Sequence, residues 1–219
     1  MYLIRGSKEE KYTDFKKRIL RLTRLLAKDI DIHKVKVVLT EHEPPGVSVI
    51  PFKKKKIASI SIVCEGDRLI SEILSCQGYR GVYDVTEALP VAYVKDWPDG
   101  QATPGVCLLT LFNQKKSIDY NTFIDRWHHS HTPLSLKIHP LWNYNRNVID
   151  DNAEDNKEKW DGIVEEHCKT KSELLNPFKF FGNPLYMIPN MIAVYMDTKS
   201  FLDYDSIEPY LAMEYHIKS

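Results

Sequence analysis

The chain has 219 residues, 43% of them hydrophobic, enough to bury a sizeable core in one large domain or two small ones. Its 30 basic and 30 acidic side chains cancel, so no overall field draws it to nucleic acid or to an anionic membrane surface, and neither is expected as a partner. Cys64, Cys76, Cys107 and Cys168 form no CxxC pair, and no apolar run is long enough for a membrane span or a secretory leader, so reduced thiols in a cytoplasmic protein are expected.

In chain order, the apolar run "MYLI" reads as a short buried strand. Tyr12, Phe15, Ile19, Leu22 and Leu26 then recur at helical spacing, which gives a helix one face for the core. "VKVVLT" and "IASISIVCE" read as strands joined by a turn that holds "KKKK" at 53 to 56, a solvated hairpin loop rather than a nucleic-acid patch. A helix over "DRLISEILSC" and a strand over "GVYDVTEA" complete the first half. The segment "KDWPDGQATPG" is rich in turn residues, and the linker is placed in it at 98–105. The second half opens on the strand "VCLLTLF", followed by a helix marked by Tyr120, Phe123, Ile124 and Trp127. Strands over "WNYNRNVI" and "KWDGIVEEHC" flank the acidic turn "DDNAEDNKEK"; a helix over "KSELLNPFKFF" and a strand over "PYLAMEYHI" close the chain.

The same plan is written twice. "YTDF" at 12 to 15 answers to "YNTF" at 120 to 123, each followed at the same distance by an arginine, Arg18 and Arg126. The element order is β-α-β-β-α-β in both halves, the order of the ferredoxin-like fold. Such a sheet has a bare face, which a second copy covers. The expected fold is therefore α+β: two ferredoxin-like modules, 1–97 and 106–219, packed sheet to sheet as an α/β barrel. Fusion removes the need for a partner chain and leaves a homodimer open.

"RWHHSHTPL" at 126 to 134 crowds three histidines into four positions before a proline. Helical spacing puts His131 with the apolar Phe123 and Trp127, His129 opposite them and His128 at the boundary. Thr132 precedes Pro133, which makes His131 the expected last residue of its helix. The helix end favours a charged imidazole and an apolar pocket opposes it, a balance suited to a general acid or base; the bland alternative is a histidine bonded to a backbone carbonyl. His128 and His131 supply two metal ligands and no spacing nominates a third, so no metal is expected. In "KWDGIVEEHC" strand alternation puts Asp161, Ile163, Glu165 and His167 on one face and Trp160, Gly162, Val164 and Glu166 on the other. If the first face lines the barrel interior, Asp161 or Glu165 orients His131 or takes a substrate proton; if the strand is at an edge, the same carboxylates are simply solvated.

The motifs "FIDRWHHSHTPL", "WNYNRNVI", "WDGIVEEHC" and "MDTKSFLDY" together resemble the EthD-like family of the dimeric α/β-barrel superfamily, over roughly residues 105 to 217. The family's histidine, proline and leucine fall on His131, Pro133 and Leu134, its strand tyrosine and asparagine on Tyr144 and Asn147, its "DG" step on Asp161 and Gly162, and its acidic tail on Asp197, Phe201 and Asp203. The first half lacks these letters, so a single site is implied. The resemblance implies an enzyme without cofactor that dehydrates, decarboxylates or cyclises a small hydrophobic or aromatic molecule. His131, Asp161 and Glu165 are its expected catalytic groups, and Trp127, Tyr144 and Asn147 bind the substrate. The rival expectations are a binding or scaffold module without chemistry, and a monooxygenase that is cofactor-free or haem-dependent. No Gly-rich phosphate cradle, nucleophile elbow or zinc-finger spacing is present.

Overall fold

A computed structural model describes residues 1–66, 69–154 and 156–219. Eight antiparallel strands form one closed ring in the order β1-β3-β2-β8-β5-β7-β6-β4. Their ranges are β1 Tyr2–Arg5, β2 Ile32–Leu39, β3 Ile57–Cys64, β4 Tyr79–Val91, β5 Val106–Phe112, β6 Leu141–Asn152, β7 Gly162–Cys168 and β8 Glu208–Lys218. All eight fall on runs that the sequence marks as strands. What differs is how the halves meet. Two ferredoxin-like modules stacked sheet on sheet would leave open edges, but here β2 pairs with β8, Val37 opposite Tyr215, and β4 pairs with β6, Val85 opposite Ile149. Hydrogen bonding edge to edge satisfies backbone groups that stacking leaves exposed. The α/β barrel of two packed modules is therefore replaced by a single closed antiparallel β-barrel with few helices.

Because side chains alternate along a strand, each strand feeds two compartments. In β5, Cys107, Leu109 and Leu111 point into the ring, where they meet Leu3, Val38, Ile163, Tyr210 and Ala212. Leu108 and Phe112 point outward against helices. The ring is not wholly apolar. Lys36 on β2 places its ammonium 2.6 Å from Glu165, 3.9 Å from Glu214 and 3.8 Å from Glu87. Burial pulls the Lys36 pKa down, but these carboxylates outweigh it and hold the group charged, with a pKa above its ordinary range. Glu214 is pulled up by burial and held well below the carboxylate range by His167, His216 and Lys36.

Outside the ring, the first half carries α1, Tyr12–Leu26, whose Phe15, Ile19 and Leu26 are buried against β1, β2 and β3. The expected helix over "DRLISEILSC" shrinks to one turn, α2 Ser71–Leu74; residues 67 and 68 of that stretch lie outside the described residues, as does residue 155 of the acidic turn. The second half is thicker. It carries α3 Tyr120–Asp125, a π-helical turn Arg126–His131, α4 Thr132–Ile138, α5 Lys171–Leu175, α6 Pro177–Phe180 and α7 Met187–Phe201. The segment before β5 runs alongside β8, where Ala102 bridges Tyr215 and Thr103 donates from its backbone to Glu214 O, and it ends at Gly105. Gly105 has φ +95°, and an added Cβ would lie 2.1 Å from Cys168 O, so only glycine fits.

Replacing Lys36 by Met should cost about 3–5 kcal/mol, because Glu165 is then buried without its ion-pair partner. The double variant Lys36→Met/Glu165→Met should recover most of that loss in urea denaturation. A double variant no more stable than Lys36→Met would show that the pair is not what is lost.

Candidate functional site

The helix that carries His131 does not stop there. Thr132 has φ −59° and ψ −49°, within the helical region, and α4 continues to Ile138 with Pro133 in its first turn. Proline offers no N–H and crowds the carbonyl four residues earlier. The chain accommodates it by widening to the π turn, in which Thr132 N–H and Thr132 Oγ1 both donate to Trp127 O, the latter at 2.9 Å. A π turn carries an extra residue and so rotates the following side chains about the helix axis. Arg146 of β6 donates to Thr132 Oγ1 at 2.8 Å, which ties the widened turn to the barrel.

Between the outer face of β5, β6 and β7 and the helices α4 and α7 lies a cavity of about 470 Å³. Leu108, Phe112 and Val164 line it from the strands, and Phe180, Met191, Val194 and Phe201 from the helices. His131, Ser135 and Glu166 bring polarity to these walls. The volume and the mostly apolar lining with a few polar groups suit a small hydrophobic molecule.

His131 is held at both ring nitrogens. Its Nδ1 lies 2.8 Å from Asp197 Oδ2, on α7, and its Nε2 lies 3.1 Å from Ser135 Oγ, one turn further along its own helix. With Nδ1–H donating to Asp197, Nε2 accepts from the Ser135 hydroxyl in the neutral ring and donates to it in the charged one. Ser130 Oγ donates to the other Asp197 oxygen at 2.5 Å. Burial pulls the Asp197 carboxyl up, but the bonds from His131 and Ser130 outweigh it and hold the carboxyl below its ordinary range. The row Asp197, His131, Ser135 has the order of a nucleophilic triad. Ser135, however, is fully buried mid-helix, where the backbone N–H groups are spent within the helix and leave no oxyanion hole.

Glu166 is the more reactive group. It stands on β7 directly opposite Tyr144 of β6, faces the cavity and has no hydrogen-bond partner among the described residues. Burial raises its pKa from 4.5 to about 7, against the opposing pull of His131 and His167. A carboxyl poised there exchanges protons in either direction near neutral pH. Tyr144 is fully buried on the cavity wall, and burial beside Glu166 pushes its pKa up.

The expected site residues divide between the two compartments. His131, Trp127 and Tyr144 line the cavity. Glu165 points into the ring and pairs with Lys36, and Asn147 there donates to Ile163 O at 3.2 Å, so neither reaches His131. Asp161 accepts from the Gln114 backbone N–H at 2.8 Å and anchors the entry to β7 rather than the imidazole. The correction has one cause. Within β7 the alternation holds, with Ile163 in the ring and Val164 outside it, whereas Trp160, ahead of the strand, packs in the ring beside Ile163 and not on the face of Val164. The cavity lies on the outward face, so the carboxyl that faces it is Glu166 and not its neighbour. Ser135 was hidden by the expectation that the helix ends at His131. Asp197 stood in the quoted "MDTKSFLDY" without a partner assigned to it. His128 faces a separate shallow groove with Tyr120 and His129, and burial beside Arg146 lowers its pKa to about 4. Among the described residues no three His, Cys, Asp or Glu side chains are placed to hold a metal ion.

No protein-family model, no curated protein and no solved structure matches this chain. No helix among the described residues is long and apolar enough to cross a membrane.

Glu166 makes stability depend on pH with a definite sign. Its folded-state pKa lies above its ordinary value, so the unfolded chain loses the proton first. Stability is full below pH 4.5 and declines as the pH rises towards about 7. The total is about 3 kcal/mol at roughly 1.4 kcal/mol per pKa unit. Glu166→Gln should remove that decline and leave the variant more stable than wild type at pH 8 in urea titrations. Parallel curves from pH 4 to 8 would show that Glu166 ionises freely in the folded state.

Proposed function

We propose that the protein is an enzyme that moves protons on a small hydrophobic or aromatic molecule held in the cavity beside His131 and Glu166. The single observation that carries this reading is Glu166, a carboxyl with no partner among the described residues, on the wall of an apolar cavity and with a pKa of about 7. In this reading Glu166 takes a proton from carbon or gives one to a departing or developing hydroxyl. His131, aligned by Asp197, exchanges a proton with the same substrate through the Ser135 hydroxyl. Two proton-handling groups on one cavity serve dehydration, decarboxylation or cyclisation, each of which couples a proton gained at one atom to a proton lost at another. These steps use side chains only. The resemblance of the second-half motifs to the EthD-like family supports the same class of chemistry, with His131 shared and Glu166 in the role expected of Asp161 or Glu165.

A second reading is favoured by one observation: both nitrogens of His131 are engaged, by Asp197 and Ser135. An imidazole so occupied also serves as the rigid polar wall of a binding module without chemistry. It offers no free nitrogen to a haem iron.

The experiment is a thermal-shift screen of aromatic and polyketide-like molecules, followed by NMR of each stabilising compound incubated with protein in D2O. Glu166→Gln should lower turnover, or deuterium uptake at carbon, about 100-fold or more while binding changes little. His131→Ala should lower it about tenfold or more. Ligands that bind wild type yet never react would favour the binding module. A reaction equally fast in Glu166→Gln would sink the assignment.

A further inference from the structure

We propose that the natural ligand is an amphipathic monocarboxylate, its anionic end held by Lys53 at the cavity mouth and its apolar body inside. The proposal rests on the functional reading above and names the substrate class it leaves open. Lys53 is the only lysine or arginine among the residues lining the cavity, and it is exposed where Glu166 is buried. Positive charge therefore sits at the rim while the interior is apolar. A carboxylate placed inside would meet Glu166, which repels it whenever ionised, so an anionic group is stable only at the rim.

The lysine run singles out this residue. Lys54 lies 3.1 Å from Glu43, Lys55 acts electrostatically on Glu208, and the buried Lys56 lies over the Tyr12 ring at 5.0 Å. Lys53 has no carboxylate partner among the described residues. Its backbone is nonetheless fixed, since Lys53 N–H donates to Pro209 O at 2.8 Å and Pro209 itself lines the cavity. The preceding Ile50 is buried against Leu108 and Phe181. The ammonium is thus carried on an anchored loop. Lys199, the cation next to the opposite wall, is already occupied by the Tyr195 hydroxyl at 3.0 Å.

Trp127 lines the cavity, so quenching of intrinsic fluorescence reports occupancy directly. The probes are two pairs that differ in charge and share a skeleton: decanoate with 1-decanol, and 2-naphthoate with methyl 2-naphthoate. Wild type and Lys53→Glu are titrated with all four. The expected result is that Lys53→Glu weakens the carboxylates about fivefold, the scale of one partly exposed ion pair, and leaves the neutral partners unchanged. Equal weakening within a pair, or none, overturns the proposal and leaves the cavity reading standing. Failure of all four probes to bind wild type removes both.

Discussion

Closure of the ring is the constraint on which everything else depends. Once β2 has paired with β8 and β4 with β6, every strand has two neighbours. The inward face is committed to packing: its apolar layer around Leu109 and Tyr210, and its ionic layer around Lys36, fill the ring. A ligand site then has to form outside, where the helical layer does not fit the barrel closely. The first half seals its outer face with α1, whose buried side chains interdigitate with β1, β2 and β3. The second half covers its outer face with several short helices and α7. A π turn interrupts the regular helix at Arg126–His131, and its Trp127 and His131 line the cavity.

This division explains how a polar site survives in a hydrophobic layer. Glu166 and Glu165 are adjacent in sequence and meet opposite fates. Glu165, facing inward, finds Lys36 at 2.6 Å from one of its oxygens and is paired by charge. Glu166, facing outward, finds a mostly apolar cavity wall and no lysine paired with it among the described residues, and desolvation outweighs the pull of His131 and His167 and lifts its pKa. The two environments lie on either side of one strand, so a single backbone sets both. Structural pairing and chemical poise are divided between the compartments.

Much of this was legible in the sequence. The strands could be read because runs such as "VCLLTLF" and "IASISIVCE" carry their own signal of β-branched and apolar residues. The apolar setting of His131 and Trp127 followed from helical periodicity, while Tyr144 was named only through the family resemblance. What escaped depended on information that no local window holds. Edge pairing between the halves joins residues far apart in the chain, Val85 with Ile149 and Val37 with Tyr215, so stacked sheets and a closed ring predict the same local pattern. Which face of β7 meets a cavity is decided by the helices above it, which is why the choice fell on Glu165 and Asp161. Pro133 read as a stop because the rule for residues before proline ignores the wider turn that absorbs the clash. The fifteen-residue α7 was overlooked because apolar residues lie on several sides of it, leaving Ile188, Ile192 and Met196 exposed.

The bond between His131 and Asp197 joins two elements that no backbone ladder connects, the π turn and α7. It is at once the alignment of an imidazole and a latch on the outer wall of the cavity. Displacing α7 far enough to admit a bulky molecule separates the two residues, so the open state is also one in which the ring has lost its orienting carboxylate. Reclosure restores both together. Access and proton alignment are therefore not independent properties of this fold, and a change that loosens α7 alters the two in step even when it touches neither Glu166 nor His131.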